Sequence, residues 1–120
     1  MRKALVAGAT VVVLVFSGSP TWSATSSFRA SGSPGDFSWS PRSRSINKGD
    51  RIRWRNPLSG SHRVVAYSSN WSYNKTVPSG ESVAKRFRRR GTFKFRCTII
   101  GHSELNDGVC SGMCGKVVVR

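Results

Sequence analysis

From Asp36 onward the chain reads as short stretches of alternating apolar and polar residues separated by turn residues. Arg51-Ile52-Arg53-Trp54-Arg55 puts Ile52 and Trp54 on one face of a strand and three arginines on the other. Asn47-Lys48-Gly49-Asp50 turns the chain before it, and Asn56-Pro57 closes it. Arg63 to Tyr67 is a β-branched run expected to form a strand buried on both sides. After the Pro78–Glu81 turn, Ser82 to Phe87 predicts a strand with Val83 and Phe87 inward and Arg86 outward. Arg90-Gly91 turns again, and Thr92 to Cys97 alternates, with Phe93, Phe95 and Cys97 sharing one face. That parity aims the Cys97 sulfur at the core. Val117 to Val119 forms a last strand, and no window carries a helical period. Many short strands at regular spacing predict an all-β sandwich or barrel.

The first third reads differently. Arg2 and Lys3, an apolar run from Ala4 to Phe16, and small residues from Ser17 to Ala24 have the order of a secretory signal peptide. The run is shorter than the roughly 20 residues a membrane-spanning helix needs. A signal over 1–24 is therefore expected, with the cut between Gly18 and Ser26. Residues 25–35, rich in Ser, Gly and Ala, suggest a flexible lead-in or a ragged first strand, and 36–120 the functional domain. Export to a periplasmic, envelope-associated or extracellular compartment follows, where cysteines tend to pair. There are three cysteines. The short loop joins Cys110 to Cys114 as the candidate disulfide, and Cys97 is then a free thiol.

The formal net charge is +15. It implies attraction to anionic partners and a strong dependence on salt. The cationic positions cluster at Arg51, Arg53 and Arg55 and again at Lys85, Arg86, Arg88, Arg89 and Arg90. Alternation makes much of this a solvated strand face, and export argues against a specific nucleic-acid function. An acidic redox partner or an anionic envelope surface is the expected counterpart of a chain expected to be monomeric.

Four soft or borderline metal ligands remain: His62 and Cys97 at strand ends, His102 and Met113 in the long loop before the last strand. Two imidazoles, a thiolate and a thioether suit copper in both oxidation states, nitrogen favouring Cu(II) and sulfur Cu(I). A site poised between the two geometries changes little when an electron is gained or lost.

The pieces Lys48-Gly49-Asp50-Arg51-Ile52-Arg53-Trp54, Ser61-His62-Arg63-Val64-Val65, Gly80-Glu81-Ser82, Gly91 to Cys97 and Gly112-Met113-Cys114-Gly115-Lys116-Val117 follow one another in an order that resembles the plastocyanin and azurin branch of the cupredoxins. The resemblance covers roughly residues 36–120. It implies a Greek-key β-sandwich holding one type 1 copper ion near one end. His62 and His102 would be the imidazole ligands, Cys97 the thiolate and Met113 the long axial ligand, with the edge of His102 as the electron port. Four residues separate Cys97 from His102, as in azurin rather than plastocyanin, and ten separate His102 from Met113, more than in either.

One-electron transfer without catalysis is the function this implies, since protein ligands would fill the coordination sphere. Copper delivery or storage is the alternative if Cys110 and Cys114 are reduced. A metal-free cationic adhesion module is the third.

Overall fold

The computed structural model describes residues 23–120, so the expected signal peptide lies almost wholly outside the described residues. Eleven strands follow in chain order: β1 (Thr25–Ser31), β2 (Ser38–Ser40), β3 (Ser43–Ile46), β4 (Arg51–Arg55), β5 (His62–Ala66), β6 (Asn74–Val77), β7 (Ser82–Arg86), β8 (Gly91–Arg96), β9 (Ser103–Asn106), β10 (Val109–Gly112) and β11 (Cys114–Val119). They build a five-stranded sheet in the order β3-β11-β8-β5-β6, a four-stranded sheet in the order β2-β1-β4-β7, and a separate β9-β10 hairpin. The pairs β1–β4 and β3–β11 are parallel, and the others are antiparallel. Among the described residues no helix occurs, and the all-β sandwich expected from the strand pattern is what forms.

The two larger sheets meet through their aromatic inner faces. Phe28 of β1 and Trp54 of β4 pack edge-on against Phe95 of β8, with centroids 4.8 and 5.3 Å apart. Trp39 of β2 joins them at 6.4 Å. All four side chains are fully buried. Edge-to-face contact sets the positive rim of one ring against the negative face of another, an arrangement that adds to the gain from burial alone. At the turn before β4 the buried Asp50 carboxylate accepts the backbone N–H groups of Asn47 and Ala24. It thereby ties the residue before β1 to the turn before β4.

Three expectations change. Of the two readings of this stretch, a flexible lead-in or a first strand, residues 25–31 take the second. They form β1, hydrogen-bonded on both edges between β2 and β4, with Phe28 and Ala30 fully buried. The folded unit therefore begins at least eleven residues before Asp36. Nor is the Arg63–Tyr67 run buried on both sides. Its strand runs from His62 to Ala66, with His62 and Val64 buried and the alternate positions partly open. A two-layer sandwich covers only one face of each sheet. The loop from His102 to Met113 also contains a regular hairpin, whose position decides the geometry of the site.

Candidate metal centre

Each ligand candidate is placed by the strand it begins or ends. His62 opens β5 on the same inward parity as Val64, so its ring enters the interior and is 1% exposed. Cys97 directly follows β8 and continues the inward set of Phe93 and Phe95, which buries its sulfur completely. His102 follows a tight reversal in which its N–H donates to the Ile99 carbonyl at 2.9 Å. Ligand atoms of His62, Cys97 and His102 all lie within 4.8 Å of one another.

The closer contacts define the cluster. Nδ1 of His102 is 3.3 Å from Nδ1 of His62 and 3.3 Å from Sγ of Cys97. Two imidazole nitrogens, each about 2.0–2.1 Å from one ion at near-tetrahedral angles, would stand roughly 3.3 Å apart. The donor set therefore fits a shared metal, and its sulfur and nitrogen chemistry fits copper. The backbone N–H of Arg63 donates to Sγ of Cys97 at 3.3 Å, which favours the thiolate form. Phe37, between β1 and β2, packs on both imidazoles, 4.7 Å from each ring centroid. The buried Nε2 of His62 has no hydrogen-bond partner among the described residues.

The Met113 backbone returns beside His102 and Cys97 because the intervening residues fold back on themselves. Asp107 and Gly108 both have positive φ, at 50° and 77°, the conformation of a two-residue hairpin turn. The pairs Leu105–Cys110 and Ser103–Gly112 then zip β9 to β10, which returns the chain beside its starting point. As a result the N–H of Met113 donates to the His102 carbonyl at 2.8 Å, and the N–H of Cys97 donates to the Met113 carbonyl at 3.0 Å. The Met113 side chain is fully buried. The extra residues between His102 and Met113 thus leave Met113 next to both its expected neighbours. Asn106-Asp107-Gly108 flanked by Leu105 and Val109 is a hairpin signal, and it was the clue to this element in the sequence. Cys110 and Cys114 form a disulfide, Cα atoms 6.2 Å apart, that brackets Met113, and Cys97 is the free cysteine.

No family profile and no curated protein matches the sequence. Solved structures do match. The novel purple cupredoxin from Nitrosopumilus maritimus superposes with a TM-score of 0.61 at 18% identity, over 78% of this chain and 98% of that one. The chain has the cupredoxin fold. A reduced Cu(I) form of an amicyanin variant gives a TM-score of 0.62 at 17% identity, over 86% of this chain and 88% of its own. An oxidized amicyanin variant gives 0.57 at 16% identity, over 78% of this chain and 80% of its own. Within this fold the gathered thiol and imidazoles sit at one end of the sandwich, where β5 begins and β8 ends.

The cationic positions spread over other surfaces. Arg51, Arg53 and Arg55 are exposed on the outer face of β4, with Arg51 opposite Arg86 of β7. Lys85 points to the inner side, its ammonium 5.9 and 5.6 Å from the rings of Tyr73 and Phe87. Arg86 is half-buried, donating to the Gly49 carbonyl, while Arg88, Arg89 and Arg90 are exposed in the turn before β8.

The metal-free cluster should report itself through pH. Burial, and after it the neighbouring His102, hold the His62 imidazole below its ordinary 6.5. The unfolded chain therefore binds more protons as pH falls through that value, and the fold loses stability on acidification. Burial pushes the Cys97 thiol above its ordinary 9.0, so stability should also fall above that pH as the unfolded thiol ionises first. Denaturant midpoints of metal-free protein are expected to drop from about pH 7 to about pH 5; a midpoint unchanged over that range would remove His62 from this account.

Proposed function

We propose that this chain is an exported one-electron carrier that uses one type 1 copper ion held by His62, Cys97, His102 and Met113, and that it is not an enzyme. The observation that carries the reading is the convergence of two imidazole Nδ1 atoms and one unpaired, buried thiol within 4.8 Å. A bound copper ion supplies a couple between Cu(II) and Cu(I). The residues do the rest. Cys97, already accepting the Arg63 N–H, offers a thiolate with part of its charge compensated. Phe37 and Trp39 close off the imidazoles from water on the interior side. His102 is only partly buried, and its ring is the exit from the cluster toward solvent.

The closed Cys110–Cys114 disulfide favours a carrier over copper storage, because it withdraws the two thiols a Cu(I) cluster would need. It also supports export, together with the charged, apolar and small-residue order of residues 1–24. Loading with Cu(II), followed by visible absorption and electron paramagnetic resonance, tests the reading. An intense thiolate-to-copper band is expected, and a colourless adduct would overturn it. Met113→Leu should keep that band and raise the reduction potential, because a weak donor to Cu(II) is lost while the apolar volume is retained. An unchanged potential would take Met113 out of the ligand set.

A further inference from the structure

The end of the sandwich away from Cys97 carries a second feature that electron transfer does not use. Lys85, Arg86, Arg88 and Arg89 line a cleft of about 240 Å³ whose apolar side is Trp71, Phe87 and Phe93. The Arg89 guanidinium lies 5.6 Å from the Phe93 centroid and donates to the Asn70 carbonyl, so the cleft wall is braced. The Trp71 indole N–H is already spent on the Lys94 carbonyl, leaving its half-buried ring as an apolar surface. Cys97 follows the last residue of β8, while this cleft adjoins the first. Six residues at about 3.3 Å each put roughly 20 Å between the two ends.

Carboxylates are distributed the opposite way. Asp36 and Glu104 line the cleft over His102, and Asp107 caps the hairpin that starts beside it. Of the chain's other two acids, Asp50 is buried and engaged with backbone N–H groups, and Glu81 lies in the turn before β7. Arg42 and Arg96, near the hairpin, are hydrogen-bonded to the Gly112 carbonyl and the Ser103 hydroxyl. With Arg63 beside His62 as a third cation, that end is close to balanced, so an anionic surface would attract the Arg88–Arg90 end more strongly than the His102 end.

We infer that the Trp71–Arg88–Arg89 cleft is the docking end for an anionic phospholipid bilayer, and that docking there turns the His102 edge outward to a partner in solution. Exposed arginines meet the phosphates, and Trp71 sits at the boundary between polar and apolar layers where tryptophan is favoured. The orientation rests on the copper-carrier reading; the docking itself does not need copper.

The test uses the full chain and two kinds of vesicle, one part phosphatidylglycerol to three parts phosphatidylcholine, and phosphatidylcholine alone. Residues 1–22, with Arg2 and Lys3, are common to every variant, so the change in the ratio of binding to the two from one variant to another does not depend on them. Each basic residue near such a surface contributes about fivefold, so Arg88→Ser/Arg89→Ser should lower that ratio by about 30-fold and Arg88→Ser alone by about fivefold. Arg53→Ser/Arg55→Ser, on the outer sheet face, should change it by less than about twofold. Equal losses from both pairs would mean diffuse charge and overturn the site. Retention by heparin with no preference for anionic vesicles would overturn the bilayer in favour of a soluble polyanion. Docking without colour on Cu(II) loading would sink the carrier reading and leave the docking site standing.

Discussion

Replacing Cys97 with Ser is expected to abolish the visible band of the Cu(II)-loaded protein and to weaken copper binding by more than about 100-fold, while the fold survives. The size follows from position. Loss of groups that merely support a ligand already costs about 10–100-fold in metal affinity, and Cys97 is expected to be a ligand itself. An alcohol does not ionise near neutral pH, so no thiolate charge transfer can replace the lost band. The fold should tolerate the change because serine is close in size and its hydroxyl can accept the Arg63 N–H that now meets Sγ. Burying that hydroxyl costs about 1–3 kcal/mol, which a folded domain can absorb. Far-ultraviolet circular dichroism and a denaturant midpoint would verify the fold, and a copper titration the affinity. A surviving band would point to another sulfur. Among the described residues the remaining cysteines are joined in the Cys110–Cys114 disulfide, so the whole ligand set would need redrawing.

How far that site could be read from the sequence depended on which interactions set each element. The Arg51–Arg55 and Thr92–Cys97 stretches follow strict alternation because each lies in a sheet with one face in the core. Ile52, Trp54, Phe93, Phe95 and Cys97 are all buried as the parity requires. The inward aim of Cys97 needed nothing beyond that parity. Strands β2, β3 and β6 carry little apolar pattern, with sequences Ser-Trp-Ser, Ser-Arg-Ser-Ile and Asn-Lys-Thr-Val. They are strands because a neighbouring edge supplies their hydrogen bonds, a tertiary effect that local composition does not carry. Residues 25–31 misled for the same reason: serine-rich spacing suggests a linker, yet Phe28 and Ala30 keep a period of two and fill the core. Phe37, which packs on both imidazoles, left no trace in the sequence, because only the folded loop brings it to them.

The hairpin is where sequence spacing and geometry most nearly parted, and it supplies the other large effect. Gly112→Ala is expected to destabilise the protein by about 2–3 kcal/mol, since a left-handed non-glycine residue costs about 1 kcal/mol and the forced backbone contact adds about 1–2 kcal/mol. For a domain near 100 residues this lowers Tm by roughly 10–20 °C. Gly112 has a φ of +89°, and a Cβ there would stand 2.6 Å from the His102 carbonyl oxygen and 3.1 Å from the Ser103 Cα. Both neighbours are backbone, so neither can rotate away. That carbonyl also accepts the Met113 N–H, and relief of the clash must therefore move His102, Met113 or both. Copper affinity and the visible spectrum should change along with stability. Gly108→Ala separates this from ordinary turn strain: its φ is +77° in the same hairpin, but nothing lies within 4 Å of the new methyl. It should cost only about 1 kcal/mol and leave the spectrum as it was. Equal costs for the two substitutions, with identical spectra, would mean that the hairpin hangs from the site as a bystander; unequal ones make its return at Gly112 the element that keeps His102 and Met113 in register.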